Sequence, residues 1–576
     1  DRDARNIITY DGSEGLPFIW SNWGSLTARQ QNDLKYNGGA GSLTLAENRI
    51  SYLRGNPVTG MRTRASLLGD IINSTPVYVA QPDLGWPTGV PFGTATDTYA
   101  DFRSDKRSRT PVVYVGANDG MLHAFRGSDG KELFGYIPEF IFSDEATAGL
   151  HYLTQQAYQH RYYVDLTPVV SDVYTQGARN TAADWRTILI GGARTGGKGV
   201  FALDVTDPGS FSQANASDIV MWEFSSEDND RMGFITEPPT VSLVQWGNND
   251  YRWTAFVPNG YNSSTSSTGL FMLDIEGGLD GDWTDSGDYR YIEFESSSDA
   301  TGLSPVRQVD LNGDRIVDRV YAGDLKGNIW VASNAGNGSW GSAYRQGGTA
   351  EPLFTAIRSG EVQPVTAAPM IVRNPNDNEN NPDPDVMVLF GTGQYLTQDD
   401  TVSEDVQSFY GVLDQGTSEL ERDDLIDRDI TDSVITVEGE VFDVRSSTGE
   451  DFDTQNGWYV DFTTETGERI VQAPQVRGEY VFVNSTIPSS NPCDVGGSGW
   501  LMAFGLDGQT PDRAVWPKLG QPFVGFKTEG GLPNKTGFLG DYALIPRSDS
   551  EILSEEIDVG SMSENTGRMS WQELYD

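Results

Sequence analysis

Cysteine is nearly missing: Cys493 is the only one in 576 residues. An intramolecular disulfide, a CxxC redox pair and a thiolate zinc cluster are all excluded. A free cysteine usually packs as a small apolar residue, so a buried, inert thiol is expected at 493. Histidine is almost as scarce, with only His123, His151 and His160. No run of about 20 apolar residues occurs, so no membrane-spanning helix is expected. The opening Asp1-Arg2-Asp3-Ala4-Arg5 lacks the apolar stretch of a signal peptide. Positive charge is in short supply: 40 Lys and Arg stand against 83 Asp and Glu, a net charge of −43. Nucleic-acid binding draws on counterion release by Lys and Arg, so nucleic acid is not an expected partner.

Apolar surface is plentiful. Hydrophobic residues make up 37% and aromatics 11%, with 14 Trp, enough for a packed core rather than a disordered chain. The 65 Gly and 28 Pro fall between short apolar runs, which points to strands and turns. One module recurs: an apolar strand, a Gly-containing turn, and a second strand. The clearest copy is Val112-Val113-Tyr114-Val115-Gly116-Ala117, then Asn118-Asp119-Gly120, then Met121-Leu122-His123-Ala124-Phe125. Asn, Asp and Gly tolerate the positive φ of a tight hairpin.

Further copies fall at 188–204, 255–274, 319–331, 386–414 and 480–504, and Thr75–Ala80 supplies a candidate closing strand. Their spacing of ~65–90 residues exceeds that of minimal blade repeats and implies loop insertions. Radial repetition also spreads burial through a chain too long for one core. The expected fold is an all-β β-propeller of six to eight blades, seven preferred, with long loop insertions and a few short helices. An array of two-sheet sandwiches is the rival. Residues 1–65 read as a segment leading into a propeller at 66–576. A helix is expected from Ser143 to Tyr163, with Ser143 as N-cap, and a short one over Asp399–Gln407. Asn374–Pro384 reads as an exposed loop, and 546–565 as an acidic, serine-rich surface loop.

One segment carries coordination chemistry. Asp310-Leu311-Asn312-Gly313-Asp314-Arg315-Ile316-Val317-Asp318 places oxygen side chains at positions 1, 3, 5 and 9. Ca²⁺ takes six to eight oxygens, and loops with ligands at 1, 3, 5, 7 and 9 wrap it. The expected ligands are Asp310, Asn312, Asp314, the Ile316 carbonyl and Asp318. Three carboxylates repel one another without an ion between them. Position 6 is Arg315 rather than Gly and position 12 is Tyr321 rather than Glu, and both flanks read as strands. The expectation is therefore an EF-hand-like loop in a β-scaffold. A solvated Asp/Asn turn that binds nothing is the alternative. Mg²⁺ suits it less, because it demands octahedral geometry and keeps its waters.

At this loop and the strands after it, the sequence resembles the C-terminal domain of the PilY family of type IV pilus factors. The resemblance rests on Leu68-Gly69-Asp70-Ile71-Ile72-Asn73-Ser74-Thr75-Pro76, the 114–125 hairpin, Tyr163-Val164-Asp165-Leu166-Thr167-Pro168 and Tyr321-Ala322-Gly323-Asp324-Leu325-Lys326-Gly327-Asn328-Ile329-Trp330. Gly391-Thr392-Gly393-Gln394-Tyr395-Leu396 and Gly567-Arg568-Met569-Ser570-Trp571 follow in the same order. It implies a modified seven-bladed propeller, one calcium site at the residues just named, and no catalysis. It also implies an extracellular place at the pilus tip or cell surface, with outer-membrane association during secretion. Minor pilins and a host or abiotic surface would be its partners. Family members support pilus assembly, oppose retraction in a calcium-dependent way, and contribute to adhesion and twitching. Their variable N-terminal region is not expected here: Asp11-Gly12-Ser13-Glu14-Gly15 lacks the last Ser of a DxSxS motif. Arg54-Gly55-Asn56 is not Arg-Gly-Asp, so integrin binding is not implied.

Two other classes compete. A quinoprotein dehydrogenase also combines propeller and calcium, but many use a vicinal disulfide that one cysteine cannot make, and their regular Trp-anchored repeat is absent. A glycan-binding propeller would use exposed Trp such as Trp20, Trp23 or Trp340. For other enzymes the signals are poor. His123 lies in a strand, where a packed, hydrogen-bonded side chain is expected. His151 and His160 stand near no Ser or Cys nucleophile motif. Gly191–Gly199 superficially resembles a phosphate loop but falls between strands, where a hairpin is expected.

Overall fold

In the computed structural model the described residues are 4–38, 41–376, 384–450, 455–491, 496–528 and 530–560. Cys493, the terminal motif at 567–571 and most of the 374–384 loop lie outside them. The chain divides into two compact units. The first runs to Ile292 and includes Ser296–Gly302; the second takes Glu293–Glu295 and the chain from Leu303 on. Among the described residues no helix is long and apolar enough to cross a membrane.

The first unit is a series of antiparallel sheets. Val112–Ala117 and Met121–Arg126 close around Asn118-Asp119-Gly120, with Gly120 at φ 92°. Only Gly takes that value without steric cost. Glu132–Ile137 and Val77–Val79 flank this hairpin, and Ile7–Tyr10 joins the sheet parallel to Glu132–Ile137. Ile7–Tyr10, from the N-terminal segment, is thus part of this sheet. Two four-stranded sheets follow: Val169–Gly177, Thr181–Gly192, Gly199–Asp204 and Val220–Ser225, then Thr240–Gly247, Asp250–Pro258, Thr268–Asp274 and Tyr289–Glu295. Gly191–Gly199 joins two antiparallel strands, Ile190 opposite Ala202. Every residue of Thr268–Asp274 is buried, as expected of a strand covered on both faces.

In the second unit Leu303–Val309, Arg319–Asp324, Asn328–Asn334 and Trp340–Ser342 pair in order. Met370–Arg373, Val386–Gly391, Ser408–Asp414 and Gly457–Asp461 pair likewise. Between these sheets lies a core of Val309, Tyr321, Ile329, Val331, Phe390 and Tyr410 with their neighbours.

The all-β reading holds, and the helices differ from expectation. Only Gly149–Leu153 of the 143–163 span is helical. Gly149 sits at φ 69°, in the left-handed region that stops a right-handed helix. The N–H groups of Ser143, Leu150 and His151 all donate to Asp33, at 2.7–2.8 Å. The Ser143 hydroxyl accepts from Glu145 N at 3.1 Å, but the turn it makes is not continued into a helix. The Asp399–Gln407 helix reduces to a turn at Asp399–Val402. Within 546–565 a strand, Ile552–Glu556, pairs with Tyr542–Pro546 in place of the expected loop. Two helices without a clear signal in the sequence, Ala28–Lys35 and Leu43–Leu53, occupy the N-terminal segment. The first opens with a capping box between Thr27 and Gln30.

Candidate metal centre

The candidate ligands lie in the hairpin connection between Leu303–Val309 and Arg319–Asp324. These strands pair in register up to Val309 opposite Arg319, so residues 310–318 leave and return at one point. The Asp318 N–H donates to the Val309 carbonyl at 2.9 Å and closes the base. Buried Val309, Val317 and Val320 anchor it. Asn312, Gly313 and Asp314 are exposed at its tip.

The loop is organised by its own carboxylates. Asp310 Oδ1 accepts from Gly313 N at 2.7 Å and Asp314 N at 3.2 Å; its Oδ2 accepts from Arg315 N at 2.7 Å. Asn312 Oδ1 accepts from Asp314 N at 2.9 Å, and Asp314 Oδ1 from Ile316 N at 2.8 Å. Asp318 Oδ2 accepts from Leu311 N at 2.9 Å. Each short polar side chain thus folds the backbone around itself. Arg315, which stands where an EF-hand has Gly, takes φ 67°, and Gly313 takes φ 80°. The left-handed bend needed at position 6 is made without Gly.

Asp310 and Asp318 both feel the charge of Asp314. Burial pushes the Asp318 carboxyl up to about 6, with the charges of Asp314 and Asp310 adding to the rise. Asp310 is raised too, by burial first and then by the charge of Asp314, against hydrogen bonds from the Arg315 and Gly313 amides that hold it down. Among the described residues, however, no three His, Cys, Asp or Glu side chains are gathered closely enough to hold a metal as they stand. The loop has the right oxygens in the right order, with carboxylates turned onto backbone amides. Coordination would require Asp310, Asp314 and Asp318 to close inward. The donor set is all oxygen, which suits a hard cation such as Ca²⁺.

Two features beside the loop were not legible in its spacing. Arg319 follows Asp318 directly and donates to Asp414 at 2.7 Å; Tyr321 donates to the same carboxylate at 2.7 Å. In the next turn Asp324 accepts from Asn328 N at 3.0 Å and Trp330 Nε1 at 2.8 Å. Both strands after the loop are therefore fixed by buried acids.

The histidines are packed or paired. His123 is buried between Asp119 and Glu132, at 3.1 and 2.9 Å, and His151 is buried against Asp33. His160 is exposed beside Asp70 at 2.7 Å.

A family profile described as the PilY1 beta-propeller domain matches residues 68–423. The chain belongs to the PilY1 family. It is 34% identical over 554 residues to the type IV pilus biogenesis factor PilY1 of Pseudomonas aeruginosa, a match covering 88% of this chain and 44% of that protein. A PilY1 homologue of Xylella fastidiosa is 32% identical over 570 residues, covering 94% of this chain and 42% of its own. The chain thus spans less than half the length of these PilY1 relatives. Its structure is similar to the crystal structure of the Pseudomonas aeruginosa PilY1 C-terminal domain, with a TM-score of 0.61 and 27% identity. That match covers 81% of this chain and 96% of the other. The β-propeller class expected from the repeated strand pairs is the class of the PilY1 domain.

Proposed function

We propose that this chain is the propeller part of a type IV pilus biogenesis factor, without catalytic activity, working at the pilus tip or cell surface. The supporting observation is the likeness to PilY1 relatives over 88% and 94% of the chain. In this reading the domain supports pilus assembly beside minor pilins, opposes retraction, and contributes to adhesion on host or abiotic surfaces and to twitching.

The loop at 310–318 binds one Ca²⁺ in this reading, through Asp310, Asn312, Asp314, the Ile316 carbonyl and Asp318. Mutual repulsion among the three carboxylates supports this, since a divalent ion would offset it. When bound, the ion would fix the hairpin end. Asp310 would have to exchange amide contacts for the ion, while Val309 and Val317 stay packed. The burial of His123 and His151 argues against their use as general bases, because neither side chain reaches solvent.

Deleting the gene in its bacterium and counting surface pili tests the pilus assignment. Reduced piliation and twitching, restored by the intact gene, are expected; unchanged pili would contradict it.

A further inference from the structure

The clefts of the first unit differ in charge. One of about 750 Å³ is lined by Asp97, Asp101, Asp184, Asp204 and Asp207. Another of about 540 Å³ is lined by Asp274, Glu276, Asp280 and Asp285. In a chain of net charge −43 such acid-lined surfaces are ordinary. A third cleft of about 630 Å³ breaks the pattern. Arg126 and Lys131 line it with Ser108, Thr110, Ser128 and Phe211, and its size falls within the range of about 300–1,000 Å³ usual for small-molecule sites.

The charges around this cleft can be followed one by one. Glu132 is its one acidic lining residue, and Arg5 neutralises it at 2.6 Å while His123 holds its other side at 2.9 Å. Arg109 also lines the cleft, but its guanidinium donates to the Ala80 carbonyl at 2.6 Å and to Thr187 at 2.7 Å. It supplies field rather than a free donor. Arg126 leans on Asp129 at 3.2 Å across a solvent-facing pair, worth little in water.

Lys131 makes no ion pair within the described chain, and the hydroxyls of Ser108, Thr110 and Ser128 make no hydrogen bond there. Cationic donors and unengaged hydroxyls thus line the same walls as half-buried Leu133 and the small exposed part of Phe211, whose ring otherwise packs against Phe134. Guanidinium and ammonium groups favour oxyanions; hydroxyls beside an apolar face suit a ring that carries its own hydroxyls on one side.

We propose that this cleft binds a sugar carrying an oxyanion, a sugar acid or a sugar phosphate. Arg126 and Lys131 hold the oxyanion, the three hydroxyls meet the ring hydroxyls, and Leu133, with the exposed edge of the wall at Phe211, lies against its apolar face. The surrounding acidic surface repels anions at long range, so the site selects a ligand whose charge is delivered locally and whose ring adds contact.

Calorimetric titration with glucuronate, glucose 6-phosphate, glucose and inorganic phosphate tests this. Saturable binding of glucuronate or glucose 6-phosphate is expected, and whichever binds more tightly distinguishes carboxylate from phosphoryl recognition. Lys131→Gln and Arg126→Gln should each weaken it at least tenfold with thermal melts unchanged. Lys535→Gln, an exposed charge change elsewhere, should leave it intact. Failure of both sugar anions to bind, undiminished binding in Lys131→Gln, or equally tight binding of glucose or of inorganic phosphate would overturn the proposal.

Discussion

Arg319, the residue after the last loop carboxylate, lies 2.7 Å from Asp414 on a strand 95 positions away in sequence. Asp414 is fully buried and also accepts from the hydroxyls of Tyr321, at 2.7 Å, and Tyr344. Removing one partner of a buried pair leaves the other charge uncompensated, typically at a cost of about 3–5 kcal/mol. Asp414→Ala should therefore lower the denaturation midpoint strongly, whereas exposed Asp443→Ala should barely move it. Chemical denaturation of the two variants checks this.

Trp458 gives a packing test. Its indole is fully buried, donates to the Leu506 carbonyl at 2.9 Å, and lies against Gly411. A Cβ on Gly411 would stand 2.5 Å from the indole, closer than side chains approach. Gly411→Ala should destabilise by about 1–3 kcal/mol through overpacking. A thermal melt together with Trp fluorescence checks it, with the emission shifting as the indole moves.

His123 and Glu132 set opposite pH limits. His123 is buried, which lowers its basicity, but Asp119 and then Glu132 outweigh burial and raise it to about 9. A raised histidine contributes stability that is full below its ordinary value near 6.5 and is lost as pH rises through about 9. Burial pushes the Glu132 carboxyl up, but Arg5 and His123 outweigh it and hold it near 2. That contribution is full above the ordinary carboxylate range and is lost as pH falls toward 2. Urea midpoints measured against pH should fall on both sides of a window from about pH 4.5 to 6.5. His123→Gln should flatten the alkaline side between about pH 6.5 and 9.

Strands were the legible part of the fold. Val112–Ala117 and Met121–Arg126 stand in the sequence as apolar runs around Asn-Asp-Gly, and local chemistry alone specifies that turn. The 143–163 region misled because its start pattern is local, while the groups that decide it are Gly149 and the distant Asp33. The loop at 310–318 was legible by spacing, since oxygen side chains at alternate positions organise their own backbone. Its anchor was not: no local pattern links Arg319 to Asp414. The cationic cleft is invisible for the same reason, because Ser108 and Lys131 flank strands of one sheet while Phe211 packs onto it from beyond a strand of another.

The central claim is that the 310–318 loop grips one Ca²⁺, and calorimetric titration of the chelator-treated protein tests it most directly. One site with an affinity between about 10⁻⁷ and 10⁻³ M is expected, abolished in Asp314→Ala and weakened in Asp310→Ala and Asp318→Ala while the melts stay cooperative. A protein that takes up no Ca²⁺, or an Asp314→Ala variant that titrates like the parent, would contradict the account.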